Sequence, residues 1–146
     1  MYWCDWGFVQ KIEFANMDGS NRGLLVSNNL LWPNGLTLDY TNSWLYWVDA
    51  GYQALEYYDL ARHTRARLPI LSLFLPHPFG LTLLDDYVYW TDWTYKGVLK
   101  TEKASPQYLT VVVGGLNQPM DIHAFDKNRP LPGNDIFIDL EMNCFN

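Results

Sequence analysis

Basic clusters, cysteines and long apolar runs are all scarce in this chain, and each shortage excludes a class of function. Among its 146 residues, 10 are Lys or Arg and 16 are Asp or Glu, which gives a formal net charge of −6. No segment gathers the basic residues together, so a nucleic-acid partner is not expected. The longest apolar runs, such as residues 68–75, are far too short to cross a bilayer.

Disulfide and secretory signals are also weak. The chain has two cysteines, Cys4 and Cys144, which are too few for a disulfide framework or a zinc site. It has no N-x-S/T sequon, and it does not open with a basic segment followed by an apolar one, so no secretory signal peptide is visible. The cysteine count by itself leaves the cellular compartment open.

Catalytic motifs are equally sparse. The three histidines, His63, His77 and His123, are not spaced as H-E-x-x-H or as another common metal-binding pattern. The sequence contains no G-x-S-x-G motif and no glycine-rich phosphate loop, since Gly114 and Gly115 lie in a predicted turn. We therefore expect no catalytic residue, no metal site and no cofactor.

A repeated tetrapeptide, Y-W-x-D, is the most informative feature that is present. It starts at Tyr2, Tyr46 and Tyr89, so successive copies begin 44 and 43 residues apart. A second repeat lies between the copies, as WPNGLTLD at 32–39, HPFGLTLL at 77–84 and, more weakly, QPMDIHAF at 118–125. Self-similarity at this period, built from short β-type runs, is the signature of β-propeller blades.

Each repeat is predicted to form four short antiparallel strands separated by turn residues. Aromatic residues make up 16 % of the chain, which suits packing across strands. In the two central repeats the predicted strands are 35–39, 44–49, 54–59 and 67–72, then 80–84, 87–92, 98–102 and 109–113. The first repeat has its Y-W-x-D strand with 11–15 and 23–26, and the last has 120–125.

These strands predict an all-β chain of about three blades' worth of four-stranded sheets, with one blade divided between the two ends of the chain. The propeller region is 1–130: the divided blade takes 1–30 and 118–126, the full blades take about 31–75 and 76–117, and 131–146 form a tail. Known propellers have roughly four to eight blades, so a closed monomeric ring is not expected. We predict instead that the lone chain tends to self-associate, since two chains could form a homodimer by exchanging the strand 120–125. The alternative is an open monomeric arc that other receptor modules stabilise.

Several linked motifs resemble the YWTD β-propeller of the low-density-lipoprotein-receptor family. They are MYWCDWG at 1–7, MDGSNR at 17–22, WPNGLTLDY at 32–40, LYWVDA at 45–50, LPHPFGLTLL at 75–84, YWTDW at 89–93 and PMDIHAFDKNRP at 119–130. The likeness is strongest to the first propeller of the Wnt co-receptors in that family. It implies the second half of a six-bladed propeller, with 131–146 as a remnant of the linker to an EGF-like module. Cys4 and Val48 depart from the family motif, which has Thr.

The resemblance also implies a protein-binding face, formed by the loops before each first strand and after each Y-W-x-D strand. Matching the motifs position by position gives the candidate ligand-binding residues Trp32, Asn34, His77, Phe79, Trp93 and Met120, with Trp6 as a weaker candidate. Such an aromatic cluster is typical of a protein-recognition hot spot. The alternative for Trp6 and Trp93 is packing between blades.

The aspartates that end the Y-W-x-D motifs, Asp5, Asp49 and Asp92, are expected to be structural. A carboxylate at the end of a strand can accept backbone N–H bonds and tie neighbouring blades together. The prolines that precede the first strands, Pro33, Pro78 and Pro119, are expected to fix the backbone there.

The function that the resemblance implies is non-enzymatic: an extracellular or cell-surface receptor domain that binds secreted proteins, either Wnt proteins or Wnt antagonists. Such a domain would reach the membrane only through other parts of a receptor. One alternative is a calcium-dependent propeller hydrolase with Asn34 and Asp121 near its axis, although calcium needs about six to eight oxygen ligands and residues 77–79 offer His-Pro-Phe. The other alternative is a truncated gene product without binding activity.

Overall fold

The structure, a computed structural model, describes residues 1–70 and 72–125 as three antiparallel sheets that follow one another along the chain. The first sheet contains β1 (Tyr2–Asp5), β2 (Lys11–Phe14) and β3 (Gly23–Val26). The second contains β4 (Pro33–Asp39), β5 (Trp44–Asp49), β6 (Ala54–Asp59) and β7 (Thr64–Arg67). A 3-10 turn at Ser72–Phe74 leads to the third sheet, β8 (Pro78–Leu84), β9 (Tyr87–Asp92), β10 (Gly97–Glu102) and β11 (Thr110–Val113). The prediction of an all-β chain is confirmed.

Each sheet is a meander in which consecutive strands are neighbours. The Y-W-x-D motif forms β5 and β9, the second strands of the four-stranded sheets, and it forms β1 in the three-stranded sheet. The register is the same in both larger sheets, because Trp47 lies opposite Leu36 and Trp90 lies opposite Leu81. The repeated sequence therefore builds a repeated structural unit. None of the described residues belongs to a helix long and apolar enough to span a membrane.

Two predicted strands differ from the structure. The strand predicted at 67–72 is wrong, because β7 ends at Arg67. Pro69 has no N–H to donate to a ladder, and the four-residue loop after β6 brings the returning strand earlier. The strand predicted at 120–125 is also wrong for the single chain, since these residues pair with no strand among those described. Cys144 and the predicted tail 131–146 lie outside the described residues.

Packing between the sheets follows from the alternation of side chains along each Y-W-x-D strand. Trp47 faces the first sheet and packs in a buried cluster with Ile12 and Val26. Its neighbour Tyr46 faces the third sheet and packs in a second buried cluster that contains Trp90. Each pair of adjacent sheets therefore shares its own core, with a tryptophan from the later sheet and a tyrosine from the earlier one.

The first strands of the second and third sheets touch through their backbones. A Cβ atom at Gly35 in β4 would lie 2.5 Å from the carbonyl oxygen of Phe79 and 2.6 Å from the amide nitrogen of Leu81, both in β8. A side chain of any size would collide there, so glycine is required for this close approach. β4 and β8 are thereby held in close backbone contact.

Short turns are capped by aspartates at the strand ends. The Asp39 carboxylate accepts hydrogen bonds from the amides of Thr41 and Asn42, at 3.0 and 3.2 Å. The Asp59 carboxylate accepts from the amides of Ala61 and Arg62, at 2.9 and 2.8 Å. Such side-chain bonds to the following backbone stabilise tight turns, and they do so here without glycine.

We expect acid to destabilise the fold through these two capping carboxylates. Burial acts to raise the pKa of Asp39, but hydrogen bonds from Asn42 and Thr41 and the charge of Lys103 lower that pKa overall. The amide of Arg62 is the main cause that lowers the pKa of Asp59. Both folded pKa values lie below the unfolded value of about 3.9, so the unfolded chain binds more protons as the pH falls. The stabilisation is present above about pH 4 and is lost below it.

Urea unfolding measured at intervals from pH 7 to about pH 2.5 tests this expectation. The Asp39→Asn and Asp59→Asn double variant should show a smaller loss of unfolding free energy below about pH 4 than the natural chain. An equal loss in both proteins would contradict the assignment of the acid sensitivity to these two turns.

Candidate functional site

The predicted binding loops lie at the same end of the strands in the second and third sheets. Pro33 is paired with Asp49, and Pro78 is paired with Asp92, so each first strand begins where the Y-W-x-D strand of the same sheet ends. This antiparallel register places the loop that enters a sheet beside the loop that follows its Y-W-x-D motif. In each sheet, the loop before the first strand and the loop after the Y-W-x-D strand therefore lie side by side at one end of the sheet.

The motif aspartates hold these loops in place. The Asp49 carboxylate accepts hydrogen bonds from the amides of Leu31 and Trp32, at 2.8 and 3.1 Å. The Asp92 carboxylate accepts from the amide of His77 at 3.0 Å. These three amides belong to the segments that arrive from the preceding sheet, so each aspartate joins that connection to its own sheet. The same carboxylates also accept from amides of the loop that follows the motif, Tyr52 at Asp49 and both Thr94 and Tyr95 at Asp92. Charged acceptors make these bonds stronger than neutral ones.

Asp5, the first motif aspartate, has different surroundings. Its carboxylate accepts one hydrogen bond, from the amide of Gly7 at 3.0 Å, and lies 3.8 Å from the amine of Lys11. The side chain is 45 % exposed, and no described residue plays the part that Trp32 plays at Asp49. The three aspartates are therefore equivalent in sequence but not in their bonding.

Four of the predicted ligand-binding residues form a continuous row of rings, which we call the aromatic row: Trp32, His77, Trp93 and Phe79. The rings of Trp32 and His77 have centroids 6.3 Å apart. His77 stacks on Trp93 at 4.8 Å with an interplanar angle of 12°, and Phe79 stacks on Trp93 at 5.1 Å and 8°. Such offset contacts stabilise aromatic pairs by about 0.5–1.5 kcal/mol each beyond their burial.

The row crosses the boundary between the second and third sheets and keeps an accessible end. Trp32 comes from the second sheet, precedes β4 and is 45 % exposed. The other three rings come from the third sheet and support one another. The arrangement therefore presents a large indole to solvent on a rigid aromatic base.

Asn34, Met120 and Trp6 have separate positions. The amide nitrogen of Asn34 donates to the carbonyl oxygen of Pro78 at 2.9 Å, so this group ties the second sheet to the third. Met120 is 44 % exposed, and the carbonyl of the preceding Pro119 accepts a hydrogen bond from the Trp93 indole at 3.0 Å, which places Met120 beside the row. Trp6 is exposed in the loop after β1 and makes none of the ring contacts of the row.

Thr91, which sequence reasoning did not single out, joins β8 to the segment that carries Met120 beside the row. The hydroxyl of Thr91 accepts a hydrogen bond from the amide of Gly80 and donates one to the carbonyl oxygen of Met120, both at 2.8 Å. Thr91 stands at the variable position of Y-W-x-D, where the other two copies have Cys4 and Val48. The lack of a hydroxyl in those two copies was the signal that could have indicated this role.

The described residues contain few groups arranged for metal binding or nucleophilic chemistry. Across residues 1–70 and 72–125, no three His, Cys, Asp or Glu side chains lie close enough together to hold a metal ion. Asp121 forms an exposed pair with His123, its carboxylate 3.0 Å from the imidazole Nε2. Burial and, second, the Asp49 carboxylate raise the pKa of the Cys4 thiol. A thiol with a raised pKa stays protonated near neutral pH and is a poor nucleophile.

Comparison with known proteins identifies a receptor family. Residues 1–40 match the low-density lipoprotein receptor repeat class B. The chain is 35 % identical over 123 residues to the vitellogenin receptor of Solenopsis invicta and 38 % identical over 124 residues to low-density lipoprotein receptor-related protein 5 of Homo sapiens. Those matches cover 84 and 85 % of this chain and 7 % of each receptor, so the chain spans a small part of the relatives' length.

A solved structure shows the same fold. The crystal structure of a nidogen/laminin complex matches with a TM-score of 0.66 and 37 % identity, over 75 % of this chain and 42 % of the matched chain. The repeat match, the receptor relatives and this structure agree with the sheets and the Y-W-x-D register described above. The chain therefore belongs to the low-density-lipoprotein-receptor family of YWTD β-propellers.

Proposed function

We propose that this chain is a non-enzymatic, protein-binding part of a propeller in an extracellular or cell-surface receptor. The observation that carries the proposal is the aromatic row, which presents Trp32 at the edge of two sheets and has Met120 beside it. Tryptophan in a well-packed setting is the side chain most enriched among binding hot spots.

The row is suited to binding because it is already ordered. The Asp49 and Asp92 carboxylates hold the backbone of Trp32 and His77, and Trp93 is fixed by its stacked neighbours and by its bond to Pro119. Binding then costs little side-chain entropy, which leaves more of the contact energy for affinity. A flat protein surface or an extended loop with an apolar tip would fit this edge.

The partners are proposed to be secreted proteins, with Wnt proteins or Wnt antagonists as the specific class. Similarity to receptors supports a protein ligand, as does similarity to a propeller crystallised in a nidogen/laminin complex. The Wnt class is supported by the linked motifs at 32–40, 75–84 and 119–130 and by the match to low-density lipoprotein receptor-related protein 5. Similarity to a vitellogenin receptor makes vitellogenin the natural competing ligand to test.

Replacement of Trp32 by Ala is expected to weaken ligand binding by about 2 kcal/mol, or about 30-fold in Kd. The truncation removes the accessible ring and leaves its partners His77 and Trp93 in place. Binding is measured by biolayer interferometry against an immobilised panel: a Wnt protein, a Wnt antagonist, laminin and vitellogenin. The Trp32→Ala, Trp93→Ala double variant should lose binding altogether.

Tyr108→Ala is the matched control, because Tyr108 is 80 % exposed and follows β10, at the edge opposite to the row. It should bind as the natural chain does. Binding to the panel that survives the double variant would refute the site, and binding to none of the four proteins would refute the proposed ligand class.

A further inference from the structure

The first and third sheets each have one face that the described residues leave largely uncovered. In the first sheet, Tyr2 and Cys4 pack towards the second sheet, so the alternate residues Trp3 and Asp5 point the other way. We call this outer surface the leading face. It also carries Lys11, Glu13 and Arg22, with the Arg22 guanidinium 5.2 Å from the Trp3 ring.

The corresponding outer surface of the third sheet is called the trailing face. In β9, Val88 and Trp90 pack towards the second sheet, so Tyr87 and Tyr89 point outwards. The amine of Lys100 lies 4.3 Å from the Tyr87 ring and 5.7 Å from the Tyr89 ring. This face thus carries two tyrosines with a cation above them, and Glu102 is paired with Tyr87 at its margin.

The repeat makes these two faces complementary. Inside the chain, Tyr46 of the second sheet packs in the same buried cluster as Trp90 of the third. In the next copies of the motif, Tyr89 on the trailing face corresponds to Tyr46, and Trp3 on the leading face corresponds to Trp90. Trp90 is fully buried whereas Trp3 is partly exposed. Placing Tyr89 of one chain and Trp3 of another in one interface would therefore repeat the packing of equivalent positions inside the chain.

Residues 119–124 lie where the first strand of a following sheet would lie. A Cβ atom at Gly80 would be 2.7 Å from both Cα of Asp121 and the carbonyl oxygen of Met120, just as one at Gly35 would meet β8. The amide of Ala124 also donates to the hydroxyl of Thr82 at 3.1 Å. Residues 119–124 thus contact β8 in the way that β8 contacts β4. They nevertheless form no ladder with any described strand.

On the side of β1 away from β2, no described strand is paired, so residues 119–124 of another copy could pair there. The equivalent strands β5 and β9 pair with β4 and β8, whereas β1 pairs only with β2 among the described strands. The register of Pro33 with Asp49 and of Pro78 with Asp92 would place Pro119 opposite Asp5. The amide of Gln118 would then face the exposed Asp5 carboxylate, as the amide of Trp32 faces Asp49.

We propose that two copies of this chain associate head to tail, with the leading face of each on the trailing face of the other. Residues 119–124 of one copy would add to the edge of β1 in the second copy that no described strand pairs with, and would complete a four-stranded sheet. Both pairs of faces are used when two copies close on each other, which gives a ring of six sheets with two-fold symmetry. The proposal does not depend on the ligand assigned to the aromatic row.

Sedimentation velocity of the full 146-residue chain, from about 1 to 50 μM, tests this association. We expect a concentration-dependent monomer–dimer equilibrium with no larger species, because the ring closes at two copies. Trp3→Glu and Tyr89→Lys should each weaken dimerisation by about tenfold or more, since each removes a ring that the interface would bury and puts a charged group in its place. Tyr52→Glu is the control, because Tyr52 lies in the β5–β6 turn of the central sheet and on neither face.

Mixing the two variants gives the decisive comparison. A mixed dimer of Trp3→Glu with Tyr89→Lys has one unaltered contact, and its other contact joins a carboxylate to an amine. The mixture should therefore dimerise more strongly than either variant alone, whereas a contact between identical faces would give no such rescue. A natural chain that remains monomeric, grows beyond dimers, or is unaffected by both substitutions would overturn the proposal. Unchanged circular dichroism of the variants shows that they are folded.

Discussion

Replacement of Trp90 by Ala is expected to lower the free energy of unfolding by about 3–5 kcal/mol. Trp90 has no exposed surface and lies in the buried cluster between the second and third sheets, with Tyr46, Leu81 and Leu99. The truncation removes the largest ring of this core and leaves a cavity that strands on both sides cannot fill. Since a small domain has about 5–15 kcal/mol of total stability, this loss would be a large share of it.

Two further variants separate the effect of the ring from that of its polar atom. The Trp90 indole N–H is buried and has no hydrogen-bond partner among the described residues. Trp90→Phe therefore removes a donor at no cost in hydrogen bonding and should retain most of the stability. Trp32→Ala removes the same side chain from a half-exposed position and should change stability by less than about 1 kcal/mol.

Equilibrium urea unfolding, followed by tryptophan fluorescence and circular dichroism, measures these differences. A loss below about 1 kcal/mol for Trp90→Ala would contradict the account of the core. If Trp90→Ala does not fold, the other two variants still test that account, because both keep the contacts between sheets largely intact. Trp90→Phe should retain most of the unfolding free energy, and Trp32→Ala should change it by less than about 1 kcal/mol.

Gly35→Ala is expected to cost about 1–3 kcal/mol or more, even though it adds one methyl group. The new Cβ atom would lie 2.5 Å from the Phe79 carbonyl oxygen and 2.6 Å from the Leu81 amide nitrogen, both of them backbone atoms. Backbone cannot move aside as a side chain can, so β4 and β8 would have to separate. Their separation would also strain the bond from Asn34 to Pro78 that joins the two sheets.

Two other glycines provide controls of different kinds. A Cβ atom at Gly114 would have its nearest neighbour at 3.9 Å, so Gly114→Ala should leave stability almost unchanged. At Gly80 the clash is with Met120 and Asp121, in the segment that pairs with no described strand. Gly80→Ala should therefore disturb self-association more than stability. Thermal unfolding that shows equal losses at Gly35 and Gly114 would contradict this account.

The fold was largely predictable because its determinants are local and repeated. Alternating apolar residues around Y-W-x-D specify strands, and repetition of the motif with Pro33 and Pro78 specifies where each sheet begins. The misplaced strand at 67–72 shows the limit of this reasoning. The apolar residues at 67–72 suggest a strand, whereas the turn after β6 and Pro69 decide where pairing stops.

The candidate site was only partly accessible to the same reasoning. Motif positions indicated the loops that carry Trp32, His77 and Trp93. Antiparallel pairing brings the start of each first strand next to the end of the Y-W-x-D strand in the same sheet. The motif positions could not indicate that both His77 and Phe79 stack on Trp93, or that the Asn34 amide is bonded to Pro78. Those contacts depend on how one sheet is placed against the next.

The sequence by itself determined the kind of unit from which this protein is built: a short antiparallel sheet, repeated, with a Y-W-x-D strand that faces a neighbour on both sides. That information is local, since side-chain alternation and turn chemistry act over a few residues. Only the tertiary structure decided how equivalent residues differ. Asp49 and Asp92 are bonded to amides of the loops that enter their sheets, while Asp5 is bonded only to the amide of Gly7 in the loop after its own strand. Trp90 is buried while Trp3 is partly exposed. Burial and bonding differ because they depend on which sheet lies alongside.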